Sequence, residues 1–254
     1  MLQQHLYPTS ISAHQPLAGL KKELKDCPKG MLLLHGYKQT GPMILSKMSK
    51  LLSKTFMERY DVVVAPDGPY VTSDQKLGWW KLPSPETFAQ EHTYENVNVA
   101  IDSIKLNKDV LNEDIRWTIV GFSQGAVLAE MLCLQNFLDI DRVLLLSTSG
   151  VMDSCIANNH LKMQNAFPVL VIMGEEENVY PVNMTQEHYR KYTRLGNYSV
   201  HIQGTRHSIQ IRRQKKDQAI FIMSTFDRVM YKNIVKRPVV FISHKYVGTV
   251  YTLM

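Results

Sequence analysis

Cysteine is scarce: Cys27, Cys133 and Cys155 are the only three in 254 residues. An odd number at wide spacing, with no CxxC pair and no histidine cluster alongside, excludes a disulfide framework and a finger-type zinc site. It fits a reducing compartment, and a cytoplasmic location is expected. Long hydrophobic runs are missing as well. None approaches the roughly 18 residues that a membrane span requires, and the opening MLQQHLYPTSISAHQPLAGL has no basic stretch leading into an unbroken apolar one, so it does not read as a secretory signal. Without such a signal, the triplets Asn183-Met184-Thr185 and Asn197-Tyr198-Ser199 carry little weight as glycosylation sites. Internal repeats, low-complexity tracts and Pro/Gly/Ser linkers are also lacking, which leaves a single globular domain as the expectation.

Acidic residues are sparse in one region only. From His201 to Met254 there are ten Lys/Arg against two Asp/Glu, while the first 200 residues hold 19 against 21, so the net charge of +6 belongs to the C-terminal fifth. The aromatic and glycine signatures of single-strand readers are absent, and no nucleic-acid partner is expected. The cluster Arg206, Arg212, Arg213, Lys215 and Lys216 reads in two ways: a positive rim that attracts an anionic substrate or an acidic membrane surface, or the solvated opening of a last helix.

What is present is ordinary globular composition, 44% hydrophobic and 20% charged, arranged as short apolar runs that alternate with helical patterns. Strands are expected at Gly30 to Gly36, Val62 to Pro66, Thr118 to Ser123, Val143 to Thr148, Val169 to Gly174 and Tyr198 to Gly204. Helices are expected at Met43 to Tyr60, Tyr94 to Leu111, from Gln124 onward, near Val182 to Leu195, and from Lys215 to about Ile234. Continuous apolar strands separated by helices describe an α/β fold: a doubly wound, mostly parallel sheet covered on both faces. We divide the chain into a lead-in of residues 1–29, a catalytic domain of 30–234, and an extension of 235–254 whose alternation suggests one or two further strands.

Gly121-Phe122-Ser123-Gln124-Gly125 falls where an expected strand meets an expected helix. In that context G-x-S-x-G is a strained turn that holds a serine above the sheet edge, with glycines where side chains would clash. Ser123 is therefore the candidate nucleophile; the plainer alternative is a tight turn with a capping serine. A serine hydroxyl needs a general base, and the base an orienting carboxylate, later in the chain with the acid first. His207, in the loop GTRHS after the strand YSVHIQG, is the candidate base, because the other histidines lie before the acid loop, mid-helix, within a strand or in the tail. The acid should end the strand VLVIMG, where Glu175, Glu176 and Glu177 compete. Glu177 is preferred, with Asp153, after the preceding strand, as the alternative. Two backbone N–H groups must hold the developing oxyanion: Gln124, next to the serine, and Tyr37, in the loop that leaves the first strand at His35-Gly36.

These segments, LLLHGYKQTG, APDGP followed by GWW, VGFSQGAVLAEML, GEEENVYP and GTRHS, resemble in order and spacing the α/β-hydrolase superfamily. Within it the chain is similar to the FSH-type serine hydrolases and to the phospholipase/carboxylesterase group that contains the acyl-protein thioesterases. The resemblance implies ester or thioester hydrolysis by a Ser-acid-His triad with no metal, cofactor or large lid domain. It carries over to Ser123 and His207 directly, and to Glu177 with a departure, since the family usually has Asp there. Pro66, Asp67, Pro69 and the pair Trp79-Trp80 match the family's pocket-shaping residues, with core packing as the alternative role. The substrate implied is a small acyl ester or thioester, or an acylated protein or lipid. A catalytically weak or dead hydrolase-fold protein that binds an acyl ligand or a partner is the second expectation.

Overall fold

A computed structural model describes residues 28–51, 57–82, 97–105, 111, 114–135, 138–150, 167, 169–174, 179, 183, 185 and 188, and the backbone of 198–203, 239–243 and 251–253. Its elements run β1 (Lys29–Leu34), α1 (Gly41–Leu51), β2 (Val62–Val64), β3 (Tyr70–Val71), β4 (Leu77–Gly78), α2 (Val97–Lys105), β5 (Arg116–Phe122), α3 (Gln124–Gln135), β6 (Ile140–Leu146), β7 (Val169–Gly174), β8 (Tyr198–Gln203), β9 (Val239–Ser243) and β10 (Tyr251–Leu253).

β1 and β5 are apolar on both faces, as strands inside a parallel sheet must be. They lie side by side in an eight-stranded sheet of order β10-β9-β8-β7-β6-β5-β1-β2. All neighbours pair parallel except β9 with β10. The chain winds outward from β1 to β2 and then returns to the other side of β1 as β5. That reversal is a topological switch point, where the loops leaving two adjacent strand ends part company and open a crevice. Register completes the placement: Leu34 pairs with Gly121 and Phe122 with Leu146. The segments that follow, from His35 and from Ser123, therefore emerge next to each other.

Alternation along the strands sends successive side chains to opposite faces. Met31, Leu33, Val120 and Phe122 meet Ile44 and Met48 of α1 on one face. Leu32, Leu34, Ile119 and Val143 meet α2 and α3 on the other. Helix α3 is buried from Gln124 through Leu134, a helix apolar nearly all round because it lies between the sheet and α2. Truncating such fully enclosed residues as Ile44 or Met48 to Ala costs about 2–5 kcal/mol.

Most strand and helix boundaries differ from the sequence expectation by a few residues, and three of the differences have a visible cause. Helix α1 starts at Gly41, two residues early, because Thr40 caps it: the Met43 N–H donates to Thr40 Oγ1 at 3.3 Å and the Gly41 N–H to Asp67 Oδ1 at 2.7 Å. Tyr60 lies outside the helix, its N–H closing a turn onto the Met57 carbonyl at 3.2 Å. β6 ends at Leu146 because Ser147 turns the chain at φ +48°, its N–H bonded to the Ile172 carbonyl at 2.8 Å. Of the helix expected near Val182 to Leu195, Asn183, Thr185 and His188 are helical, and the helix expected from Lys215 lies outside the described residues. The strand-like C-terminal stretch supplies β9 and β10, which continue the main sheet from β8. Among the described residues no helix is long and apolar enough to cross a membrane.

Candidate active site

Ser123 stands between β5 and α3 in the left-handed backbone region, at φ +54°. A non-glycine residue held there costs on the order of 1–3 kcal/mol and persists only where the surroundings fix it. They do so from both sides: its N–H donates to the Leu146 carbonyl at 2.9 Å, and its carbonyl accepts from Ala126 and Val127 N–H at 2.9 and 3.2 Å. Both flanking glycines are required by close approach. A Cβ at Gly121 would overlap the Gly125 carbonyl oxygen and the Ala126 backbone, and one at Gly125 would overlap the Leu34 carbonyl oxygen.

The loop leaving β1 packs directly on this turn. A Cβ on Gly36 would lie 3.3 Å from the Ser123 Cβ and 2.8 Å from the Phe122 ring. The loop is shaped by Lys38 at φ +61° and by Gln39, whose N–H donates to the Gly36 carbonyl at 3.2 Å while its Oε1 accepts from Gly36 N–H at 3.3 Å. Among the described residues, neither the Tyr37 N–H nor the Gln124 N–H donates to a protein acceptor. Gln124 is buried, and a buried N–H without a partner is uncommon enough to call for an explanation.

His35 is enclosed completely beneath this loop. Its Nδ1–H donates to the Gly36 carbonyl at 2.8 Å and its Nε2 accepts from the Gly68 N–H at 2.9 Å, which defines the neutral Nδ1-protonated ring. Burial holds its pKa below the ordinary histidine value, against the opposing pull of the Gly36 carbonyl and Asp67. The Trp79 indole stacks on the imidazole with centroids 4.8 Å apart and donates its Nε1–H to the His35 carbonyl at 2.7 Å.

Trp79 and Trp80 are 1% and 2% exposed and belong to the buried cluster that packs against α2 and α3. Asp67, matched to the same family segment, caps α1. Ser123, Gln124 and Tyr37 are thus brought together at the ends of β1 and β5. Glu177, His207, the alternative acid Asp153 and the basic cluster Arg206, Arg212, Arg213, Lys215 and Lys216 lie outside the described residues.

Sequence reasoning missed the β3–β4 hairpin, which carries Trp79 and Trp80 to the site. Its strands are two residues each, too short for a period-2 signal, and its only local cue is the polar turn Thr72-Ser73-Asp74-Gln75. Asp74 at its tip pairs with Lys38 Nζ at 3.1 Å and accepts from the Thr72 hydroxyl at 2.6 Å. Thr72 first, then Lys38, holds its carboxyl far below the usual carboxylate range. Both partners of the ion pair face water, so it contributes little to stability.

A sequence profile described as Serine hydrolase (FSH1) matches residues 25–219. An Aedes aegypti esterase is 25% identical over 171 residues, an alignment that covers 61% of this chain and 62% of that esterase's length. Among solved structures, the esterase PE8 superimposes with a TM-score of 0.61 at 23% identity, covering 79% of this chain and 93% of its own. SOBER1 of Arabidopsis thaliana does so with a TM-score of 0.60 at 18% identity, covering 79% and 98%. At these identities the structural likeness is one of fold, and it establishes the α/β-hydrolase architecture.

Proposed function

Because this chain belongs to the serine hydrolase (FSH1) family, we propose that it hydrolyses carboxylic esters or thioesters through an acyl-enzyme on Ser123. The observation that carries this reading is the strained Ser123 turn set against two unpartnered N–H groups, Tyr37 and Gln124.

In this mechanism Ser123 Oγ attacks the acyl carbonyl while the His207 imidazole takes its proton. The carbonyl oxygen becomes an oxyanion held by the Tyr37 and Gln124 N–H groups. As the tetrahedral intermediate collapses, His207 returns the proton to the leaving alcohol or thiol. Water, deprotonated by the same imidazole, then releases the acid and regenerates Ser123. Glu177 orients the imidazole and keeps the proton on the right nitrogen; Asp153 is the other carboxylate that chain order allows. The backbone supports the electrostatic part: donors already held by the folded chain need no reorganisation when charge develops, which is why one such donor is worth about 10²–10³ in kcat. The substrate class is a small acyl ester or thioester, and the three cysteines, of which Cys133 is buried and free, suit a cytoplasmic enzyme.

The test is covalent labelling by a fluorophosphonate, together with turnover of a p-nitrophenyl ester. Labelling that disappears in Ser123→Ala, with turnover reduced by about 10⁴-fold or more, is the expected result. A wild-type chain that neither labels nor turns over would instead be a hydrolase-fold binding protein.

A further inference from the structure

The Gln124 side chain, which the proposed chemistry does not use, spans between the two walls of the site. Its Oε1 accepts from the Trp79 N–H at 2.9 Å and its Nε2 donates to the Trp80 carbonyl at 2.8 Å. The side-chain amide thus reads the backbone of the β3–β4 hairpin as a neighbouring strand would, one donor and one acceptor, in a space closed to water. Trp79 passes the constraint on, through its Nε1–H to the His35 carbonyl and its stacking on the His35 ring. His35 in turn directs its Nδ1–H to the carbonyl of Gly36, the residue before Tyr37. A second path is steric. A Cβ on Gly78 would lie 2.9 Å from the Tyr37 ring and 3.2 Å from Gln124 Oε1, so Tyr37 and Gln124 converge on the same bare backbone.

We propose that Gln124 has a second role through its side chain, as a positioning residue: with Trp79 and His35 it forms a closed brace that fixes the distance between the Gln124 and Tyr37 N–H donors. This rests on the assignment of those two N–H groups as the oxyanion hole. The two donors lie just past the ends of β1 and β5, whose pairing brings the two loops together, but they share no hydrogen bond of their own, so their separation is set by further contacts. The Trp79-Trp80 segment, directly after β4, is the only one among the described residues that hydrogen-bonds to both the Gln124 side chain and the His35-Gly36 segment. Each link of the brace is buried, so water does not compete for it, unlike the exposed Lys38–Asp74 pair at the hairpin tip.

The variant Gln124→Met keeps length and bulk and removes both hydrogen bonds. Fluorophosphonate labelling run to completion counts competent serines, and kcat is expressed per labelled serine, so partial unfolding cancels. The expected result is a fall of about 10–100-fold in kcat per site, below the loss for deleting a donor outright, with KM changed less than about threefold. Affinity for an arylboronic acid, whose tetrahedral adduct on Ser123 places an anionic oxygen in the hole, should weaken by the same factor as kcat/KM. If kcat per site and boronate affinity both stay within about threefold of wild type, the brace is wrong.

Should Gln124→Met fail to fold, Gln124→Glu decides the matter. A protonated carboxyl there accepts from Trp79 N–H and donates to the Trp80 carbonyl as the amide does, whereas a carboxylate cannot donate. The ratio of variant to wild-type kcat per site, in which titration of the neighbouring His35 and Tyr37 cancels, should then approach one where the carboxyl is protonated and fall where it ionises; a ratio near one at pH values where the variant's carboxyl is shown by NMR to be ionised, or a ratio well below one where it is shown to be protonated, overturns the brace. A wild-type serine that does not label overturns both this inference and the hydrolase reading beneath it, whereas a labelled wild type with an indifferent Gln124→Met overturns the brace alone.

Discussion

Glu130 Oε1 and His188 Nε2 meet at 3.0 Å with side chains only 3% and 10% exposed, joining α3, the helix that opens at Ser123, to a helical turn 58 residues further along the chain. The imidazole rests on Gly150, whose φ of +78° and missing side chain both serve the contact, since a Cβ there would overlap the ring. Nearby, the Thr185 hydroxyl donates to the Thr148 carbonyl at 2.8 Å. These contacts tie Thr148 and Gly150, which follow β6, to Thr185, His188 and α3. By its sequence position His188 is a mid-helix histidine, and its buried partner gives it a role.

That contact should be measurable as a coupling. Glu130→Leu and His188→Phe are each expected to cost about 1–3 kcal/mol of unfolding free energy in urea, because each removes a buried hydrogen bond. In the double variant the losses should fall short of additive by about 0.5 kcal/mol or more. Strict additivity would mean that the two groups are neighbours without an energetic link.

His35 gives the fold a defined weakness to acid. Burial depresses its folded pKa below the 6.5 of the unfolded chain, so the unfolded state binds the extra proton. Stability is then fully present above about pH 7 and declines as pH falls through the unfolded pKa, with a slope of at most about 1.4 kcal/mol per pH unit. Urea unfolding between pH 7.5 and 5 should show a steeper acid decline in wild type than in His35→Asn. Parallel curves would place the loss on other groups.

Strain at Ser123 predicts a separation of stability from activity. Glycine adopts φ +54° freely and alanine does not. Ser123→Gly should therefore be more stable than Ser123→Ala by about 1 kcal/mol, with both inactive. Equal melting temperatures would show that the turn relaxes when the hydroxyl is removed.

The glycines on either side should be intolerant for a different reason, backbone overlap. Gly125→Ala drives a methyl into the Leu34 carbonyl, which immediately precedes the His35 loop. The expectation is a loss of activity of at least about 100-fold with destabilisation of about 2 kcal/mol or more, read by ester turnover per labelled serine and by urea unfolding.

For the acid, three substitutions rank the candidates. Glu177→Gln should lower kcat by about 10²–10⁴, the scale set by loss of the orienting carboxylate in a triad, with Glu175→Gln and Asp153→Asn close to wild type. A crippled Asp153→Asn beside an active Glu177→Gln would move the carboxylate to the loop after β6.

The sequence alone determined the layer architecture and the strand-to-helix turn at Ser123, because both are written locally. Runs such as GMLLLHG and VLVIMG are apolar at every position, which only a strand covered on both faces accommodates, and β7 spans Val169–Gly174 as expected. Gly121 and Gly125 around Ser123 report backbone crowding that the strand-to-helix turn then displays. What depended on distant segments stayed illegible. The pairing of β1 with β5 brings residues some 87 positions apart into register, Leu34 beside Gly121, and no local pattern states which strands adjoin. The sequence assigned a role to the Gln124 N–H but none to its side chain, and it left Trp79 between pocket wall and core. The Trp79 N–H donates to Gln124 Oε1 across 45 residues, while the Trp79 indole turns to the His35 carbonyl. Hydrophobic periodicity records which face of an element is buried, whereas hydrogen-bond partners inside that burial are chosen by how the elements stack, and that choice is made only in the tertiary structure.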